Sequence, residues 1–193
     1  AKASLAVQRS LREREVSLYI GIPFCPTRCA YCSFVSADVG RTLKLVDPYV
    51  EALEEEIDAM GRLLRELGLP VRPFNMGGGT PTTVSPEQLE GRLGRCRRVL
   101  PLEGCTEYTV EAGRPDTITW EKLQVLKEQG IGRISINPQT LEEPVLQAIG
   151  RRHTAQDILE AYAMARKVGF DSINMDLIAG LPRDSFEGFC RSL

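Results

Sequence analysis

The chain has 193 residues, of which 42% are hydrophobic and 26% are charged, and its formal net charge at pH 7 is -2. This composition is typical of a globular protein with a sizeable core, and it excludes a chain that is disordered over most of its length. The slight negative charge provides no basic surface to neutralise phosphates, so we expect no nucleic-acid partner.

The beginning of the chain, residues 1–15, carries charges every few positions and lacks the apolar stretch of a signal peptide. No later segment approaches the ~20 apolar residues that a membrane span requires. Six cysteines in such a chain favour reduced thiols in the cytoplasm, where clustered cysteines bind metal more often than they form disulfides. We therefore assign residues 1–15 to a lead-in and residues 16–193 to one core domain.

Segments with strand periodicity and helix periodicity alternate along the core domain, which is typical of parallel strands covered by helices. Strands are predicted at 16–23, 71–76, 106–111, 131–137 and 172–178. Helices are predicted at 47–67, 85–100, 119–130 and 154–169, and another is predicted to begin after Pro182. The sequence therefore predicts an α/β fold of five such units. A closed eight-stranded barrel needs roughly 250 residues and a six-unit partial barrel needs one more strand, so we expect a fold truncated after its fifth strand.

The predicted helices carry signals at their ends. Asp47 and Pro48 are predicted to open the first helix as its N-cap and first helical residue, and Gly68 is predicted to close it. Apolar residues every three or four positions in between predict one buried stripe. Ser85 and Gln88 are predicted to form a capping box at the start of the second helix.

A loop with three cysteines, Cys25, Cys29 and Cys32, follows the first predicted strand. This is the carboxyl edge of the sheet, where α/β proteins place their sites. Soft thiolates suit an iron–sulfur cluster or zinc. A cubane usually takes four cysteines, so three would leave one iron free to bind a small chelating ligand. We favour this interpretation.

Two other interpretations of the cysteine loop stay open. A structural zinc site needs four ligands, commonly from two Cys-x2-Cys pairs. The fourth ligand could come from one of the residues outside the loop, none of which has motif spacing: Cys96, Cys105, Cys190 or His153. Three ordinary buried thiols are the other alternative, and the density of cysteines in the loop disfavours it.

The cysteine loop stands in YIGIPFCPTRCAYCSF, and GGGTPT, VEAGRPD, NPQT and MDLIAGLP follow in that order. Together these motifs resemble the radical S-adenosylmethionine (SAM) superfamily. Within it they are most similar to the oxygen-independent coproporphyrinogen III dehydrogenase group, in its dehydrogenase-like branch of Firmicutes. The resemblance implies a partial (β/α)6 barrel with a [4Fe-4S] cluster that cleaves SAM reductively, giving a 5′-deoxyadenosyl radical that abstracts hydrogen.

The resemblance also implies roles for individual residues. Cys25, Cys29 and Cys32 would ligate the cluster, and the matching positions that would contact SAM are Tyr19, Tyr31, Gly78, Gly79, Thr80, Glu111, Gln139, Arg151 and Asp176. The glycines would let backbone groups approach a ligand, with a simple turn as the alternative. Tyr31 would either stack on adenine or pack the loop against the barrel rim. Asp176 has apolar neighbours in sequence and should have a polar partner.

The resemblance leaves two functions open. One is the oxidative decarboxylation of coproporphyrinogen III to protoporphyrinogen IX in haem biosynthesis, which requires a low-potential electron donor. The other is a haem chaperone, which binds and delivers haem. The family's dehydrogenases have a fourth cysteine where this chain has Phe34, and a histidine where it has Gly21. The Cys-x-Phe ending favours the chaperone, whereas NPQT and the overall match favour the enzyme.

Four arginines crowd the second predicted helix towards its end: Arg92, Arg95, Arg97 and Arg98. They could hold the propionates of a substrate. A helix C-terminus attracts cations by itself, however, and we interpret these arginines as a solvated face.

Overall fold

A computed structural model describes residues 14–34 and 37–193. The strands in this part of the chain are β1 (Val16–Ile22), β2 (Phe24–Cys25), β3 (Ala37–Asp38), β4 (Val71–Gly78), β5 (Glu107–Gly113), β6 (Arg133–Gln139) and β7 (Ser172–Leu177). Five of them form one parallel sheet in the order β1-β4-β5-β6-β7. The predicted parallel sheet is confirmed, whereas the short parallel pair β2–β3 was not predicted. Most of the predicted lead-in, residues 1–13, lies outside the described residues.

Along the chain, helices connect successive strands of the large sheet, as parallel pairing requires. They are α1 (Val39–Thr42), α2 (Val46–Glu66), α3 (Pro86–Val99), α4 (Trp120–Glu128), α5 (Glu143–Ala148), α6 (Ala155–Val168) and α7 (Phe186–Ser192). The four longest, α2, α3, α4 and α6, contact one another in that order and form one layer against the sheet. Within residues 14–34 and 37–193, no helix combines the length and the apolar character needed to cross a membrane.

The two faces of the large sheet differ in polarity, because successive side chains of a strand point to opposite sides. Val110 of β5 pairs with Ile134 of β6, and both are fully buried in the core. The next pair, Glu111 and Ser135, lies on the other face, where it lines a cleft together with Asn75 of β4. Parallel strands that are packed on both sides are usually apolar throughout. The polar face therefore indicates a surface built to contact a ligand or water.

The predicted helix ends are confirmed for Ser85 with Gln88 and for Gly68, and they are wrong for Asp47 and Pro48. Because α2 begins at Val46, Pro48 is its third residue rather than its first. Ser85 Oγ accepts from Gln88 N and Ser85 N donates to Gln88 Oε1, each at 3.2 Å, which confirms the capping box. Gly68 follows α2 with a φ of 62°, as a closing glycine should. Asp47 is not the N-cap of α2, because a 3-10 turn runs directly into this helix and makes Leu45 its N-cap. Asp47 instead accepts from Gln88 Nε2 at 3.2 Å, which links the starts of α2 and α3.

The arginines of α3 do not form one solvated face, and that prediction is wrong for Arg92. Its side chain is fully buried; Nη1 donates to Gln88 O at 2.8 Å, while Nε and Nη2 have no hydrogen-bond partner among the described residues. Burial lowers the pKa of Arg92. Arg95, by contrast, forms half-exposed ion pairs with Glu54 at 2.9 Å and Asp58 at 2.7 Å. One helix thus carries both a buried and a paired arginine.

An Arg92→Met variant should be as stable as the parent chain or more stable. Methionine occupies a similar volume without burying two unpartnered donors. In urea denaturation we expect the free energy of unfolding to stay within about 1 kcal/mol or to rise. Arg95→Met is the matched control, which loses two ion pairs and should gain no stability. A decrease of more than about 2 kcal/mol in the free energy of unfolding of Arg92→Met would show that the buried guanidinium stabilises the fold, and would contradict this prediction.

Candidate functional site

A cavity of about 240 Å³ opens at the carboxyl ends of the strands. It brings together all the predicted site residues except Tyr19 and Asp176, namely Cys25, Cys29, Tyr31, Cys32, Gly78, Gly79, Thr80, Glu111, Gln139 and Arg151. Residues that were not predicted as site residues complete the lining: Ser33, Phe34, Gly113, Arg114 and Asn137. Residues far apart in sequence therefore converge on one site at the edge where parallel sheets hold their ligands.

The cysteine loop (residues 25–32) presents three free thiols to this cavity. Cys25 and Cys29 are buried, and Cys32 is half-buried. Thr80 Oγ1 donates to Cys25 Sγ at 3.5 Å, and Arg114 Nη2 donates to Cys29 Sγ at 2.7 Å. The site thus already contains donors directed at sulfur, which is the arrangement that tunes iron–sulfur ligands.

The described residues contain no group of three or more His, Cys, Asp or Glu side chains arranged around a single metal ion. A cubane differs from a single ion, since each cysteine binds a different iron and the sulfurs need not converge on one point. Three thiols on one loop, lining one cavity with donors to two sulfurs, fit the donor set of such a cluster.

The residues that could have supplied a fourth zinc ligand do not line this cavity. His153 is buried, and its Nδ1 lies 3.5 Å from Asp116 Oδ1. Cys96 is fully buried in the core, and Cys105 Sγ donates to Arg72 O at 2.8 Å. The arrangement of these side chains gives the zinc interpretation no support.

The glycine-rich segment at the end of β4 packs against the backbone of β1 and β2, which lead into the cysteine loop. Gly79 N donates to Ile22 O, and Thr80 N donates to Phe24 O, each at 2.8 Å. A Cβ on Gly79 would lie 2.7 Å from Phe24 O and 2.8 Å from Ile22 O. Gly78 has a φ of 105°, a conformation that glycine adopts easily. Packing within the protein therefore requires glycine at position 79, and the backbone conformation favours glycine at position 78. Both reasons hold independently of any ligand.

Polar side chains of β5 and β6 form the floor of the cavity. Glu111 lies within β5 and Gln139 is the last residue of β6, so both belong to strands that extend further than predicted. Asn75 Nδ2 donates to Glu111 Oε1 at 3.1 Å and holds that carboxylate in place. Asn137 Oδ1 is buried and has no hydrogen-bond partner among the described residues. This floor leaves polar groups that a ligand could satisfy.

Tyr31 and Arg151 meet across the mouth of the cavity. Arg151 is buried, and its Nη2 donates to Tyr31 Oη at 2.7 Å, while Nε and Nη1 have no partner in the described part of the chain. Burial raises the pKa of Tyr31 to about 12, although the charge of Arg151 opposes the rise. The phenol therefore stays protonated near neutral pH. This hydrogen bond links the cysteine loop to the loop after α5, and both stacking on adenine and packing at the barrel rim stay predictions for Tyr31.

The structure places Tyr19 and Asp176 outside the main cavity. Tyr19 is 56% exposed and lines a separate groove of about 150 Å³ with Tyr49. Its pKa is raised by partial burial and by the charge of Glu111. Asp176 lines a cleft of about 430 Å³ that shares Glu111 and other residues with the cavity. Its predicted polar partner is present, because Asn174 Nδ2 donates to Asp176 Oδ1 at 2.7 Å, although Asp176 is exposed rather than enclosed.

Arg114 is the most notable residue that was missed from the sequence. It follows Gly113 at the end of β5 and is buried against the cysteine loop. The signal was its position in VEAGRPD, since a residue directly after a parallel strand lies at the ligand edge of the sheet. Nothing in the local pattern, however, identifies the loop that its side chain reaches.

The fold and the site define a parallel α/β protein with a cysteine-lined cavity at the carboxyl ends of its strands. The chain belongs to the Radical SAM superfamily, whose family model matches residues 19–193.

Among known proteins, the chain is 46% identical over 180 residues to the oxygen-independent coproporphyrinogen-III oxidase-like protein HemZ of Bacillus subtilis, covering 93% of this chain and 36% of that protein. It is 41% identical over 168 residues to the heme chaperone HemW of the same organism, covering 86% and 43%. The solved structure of coproporphyrinogen III oxidase HemN from Escherichia coli, a radical SAM enzyme, has a TM-score of 0.82 at 30% identity, covering 100% and 43%. The chain thus spans less than half the length of each of these relatives.

Proposed function

We propose that the chain is the core of a radical SAM enzyme, with a [4Fe-4S] cluster on Cys25, Cys29 and Cys32 and SAM in the adjoining cavity. The carrying observation is that one cavity gathers the three cysteines with seven of the nine residues predicted to contact SAM. Membership of the superfamily supports the same proposal. The bound cluster and SAM would supply the reductive cleavage that generates a 5′-deoxyadenosyl radical.

The chain's own residues would bind and orient SAM. The unpartnered Nε and Nη1 of Arg151 are suited to a carboxylate, which the forked guanidinium recognises well. The carboxylate of Glu111, held by Asn75, is suited to the positive charge of an amino or sulfonium group. Both side chains line the cavity with the cysteines. Tyr19 and Asp176 lie farther out, and we propose that they contact the part of SAM that extends beyond the cysteine loop.

For the substrate we propose a porphyrinogen, decarboxylated oxidatively as in the conversion of coproporphyrinogen III to protoporphyrinogen IX. The similarity to HemZ and to the HemN structure supports this class of substrate. A low-potential electron donor would be a further partner. The free cysteines of the described residues suit the reducing cytoplasm, where we propose that the protein works.

A second candidate function is that of a haem chaperone, which would bind and deliver haem without porphyrinogen turnover. Phe34 supports it, since this residue stands where the dehydrogenases of the family have a fourth cysteine. Its side chain is 67% exposed and lines the cavity, where it offers an apolar surface to a macrocycle. The 41% identity to HemW supports the same candidate.

Anaerobic reconstitution tests both functions. We expect the reduced cluster of the reconstituted protein to give an EPR spectrum that changes when SAM is added, because SAM would bind the iron that has no cysteine. We then expect coproporphyrinogen III to be consumed when reductant and SAM are both present. Consumption without SAM would be a background reaction and is the control.

Each outcome of this experiment decides between proposals. An EPR spectrum that SAM leaves unchanged would overturn the radical SAM proposal for this chain. A SAM-dependent spectrum without porphyrinogen consumption, together with stoichiometric haem binding, would select the chaperone. Consumption that depends on SAM would select the enzyme.

A further inference from the structure

Arg114 donates three hydrogen bonds to the cysteine loop. Its Nη1 donates to Thr27 Oγ1 at 2.6 Å, and its Nη2 donates both to Thr27 O at 2.7 Å and to Cys29 Sγ at 2.7 Å. The residue is only 2% exposed, so these bonds are shielded from water. A guanidinium with its donors in a fixed fork is therefore bound to one side of this loop.

The cysteine loop is also attached to the segment after α5. Thr27 Oγ1 donates to Gly150 O at 2.9 Å, and Ala30 N donates to Ile149 O at 3.0 Å. Thr27 Oγ1 thus accepts from Arg114 while it donates to Gly150, and the hydroxyl links the two attachments. The loop is held between the exit of β5 and the end of α5, and Arg114 supplies the contact that reaches a cysteine sulfur.

Arg114 forms no ion pair with a carboxylate of residues 14–34 and 37–193. Its charge acts on Asp116 only at longer range: burial would raise the pKa of Asp116, but a hydrogen bond with His153 and, after it, the charge of Arg114 lower that pKa. A buried cation without a paired anion is unfavourable. Cysteines that ligate a metal are thiolates, and a cubane held by three of them is anionic. A bound cluster would therefore place an anion in direct contact with Arg114, through the sulfur of Cys29.

We propose that Arg114 is a positioning residue with two consequences: it holds Cys29 in place before the cluster binds, and it is the buried counter-charge that makes the bound cluster easier to reduce. Hydrogen bonds and charges at the sulfurs are known to set the reduction potential of such clusters. This inference rests on the proposed function, because it assumes that the cluster binds here.

The test compares Arg114→Gln, Arg114→Lys and the matched control Arg152→Gln, which removes an equal charge from the exposed neighbour of Arg151. Hydrogen–deuterium exchange of the cluster-free chain reports on the loop, and an EPR-monitored redox titration of the reconstituted chain gives the midpoint potential. We expect faster exchange in residues 25–32 and a lower potential in Arg114→Gln. Arg114→Lys should restore part of the potential, while Arg152→Gln should match the parent chain in both measurements.

The outcomes separate this inference from the function on which it rests. If the parent chain binds no iron, the proposed function fails, the counter-charge role falls with it, and exchange in the cysteine loop still decides the positioning role. If the parent chain binds the cluster and Arg114→Gln has the same potential and exchange as Arg152→Gln, the inference about Arg114 is overturned. Loss of iron from Arg114→Gln alone, with the fold intact by circular dichroism and the loop exchanging faster, supports the positioning role, and the potential of Arg114→Lys then decides the counter-charge role.

Discussion

Anaerobic reconstitution of a Cys29→Ala variant should leave the chain with almost no cluster-bound iron, whereas the parent chain should take up about four irons. Cys29 is buried in the middle of the cysteine loop, and only Cys25 and Cys32 would remain beside the cavity. Two thiolates would hold only two of the four irons, so the cube would lose most of its attachment. Iron and sulfide analysis after gel filtration measures the loss.

The matched control is Cys190→Ala, which removes an exposed cysteine that does not line the cavity. It should bind as much iron as the parent chain. Far-UV circular dichroism should be the same for both variants, since alanine at position 29 removes only a sulfur and leaves Thr27 to hold the loop through Arg114. An iron content in Cys29→Ala equal to that of Cys190→Ala would contradict the assignment of Cys29 as a ligand.

Much of the fold was predictable because it depends on short-range patterns. The alternation of periods predicted the parallel sheet, and the ends of β1, β4 and β7 fall within two residues of the predicted ones. The capping box at Ser85 was predictable for the same reason, since its two partners lie three residues apart. Asp47 was not, because the 3-10 turn before α2 depends on how the chain leaves the short strand β3.

The candidate site was predictable where motifs follow strand ends. Parallel strands bring their carboxyl ends to one edge, so Thr80 and Gln139 line the same cavity although they are far apart in sequence. The resemblance to the superfamily selected these residues among many polar ones. Gln139 also has a φ of 70°, an uncommon conformation for a residue with a side chain, and the sequence carries no sign of it.

The contacts of the arginines could not be predicted, because each depends on a side chain that reaches across the fold. Arg92 was interpreted as a solvated helix residue but is fully buried. Without the resemblance, Arg151 would have been interpreted as an exposed charge at a helix end, and it is buried as well. Arg114 was overlooked although it binds Thr27, 87 residues earlier in the chain. A sequence pattern is compatible with both a buried and an exposed position for a long flexible side chain, and only the packed structure distinguishes the two.

A Gly79→Ala variant should be less stable than the parent chain by about 1–3 kcal/mol, the usual effect of forcing an extra methyl group into packed surroundings. The three atoms nearest to the new Cβ, Phe24 O, Ile22 O and Phe24 N, lie at 2.7, 2.8 and 2.9 Å, and all belong to the backbone. No side-chain rotation can relieve these contacts, so the end of β4 must move away from the strand that enters the cysteine loop. Because Cys25 follows Phe24 directly, we also expect lower iron uptake.

Gly91→Ala is the matched control, since a Cβ at this position in α3 meets nothing within 4 Å. Alanine favours a helix over glycine, and this variant should gain about 0.5–1 kcal/mol with unchanged iron uptake. Urea denaturation compares the two substitutions, which add the same methyl group. If they change stability equally, the close approach of Gly79 to β1 and β2 is not rigid. If Gly79→Ala loses stability but keeps its iron, the glycine serves the sheet alone, and the cysteine loop is positioned from its other side by Arg114 and the segment after α5.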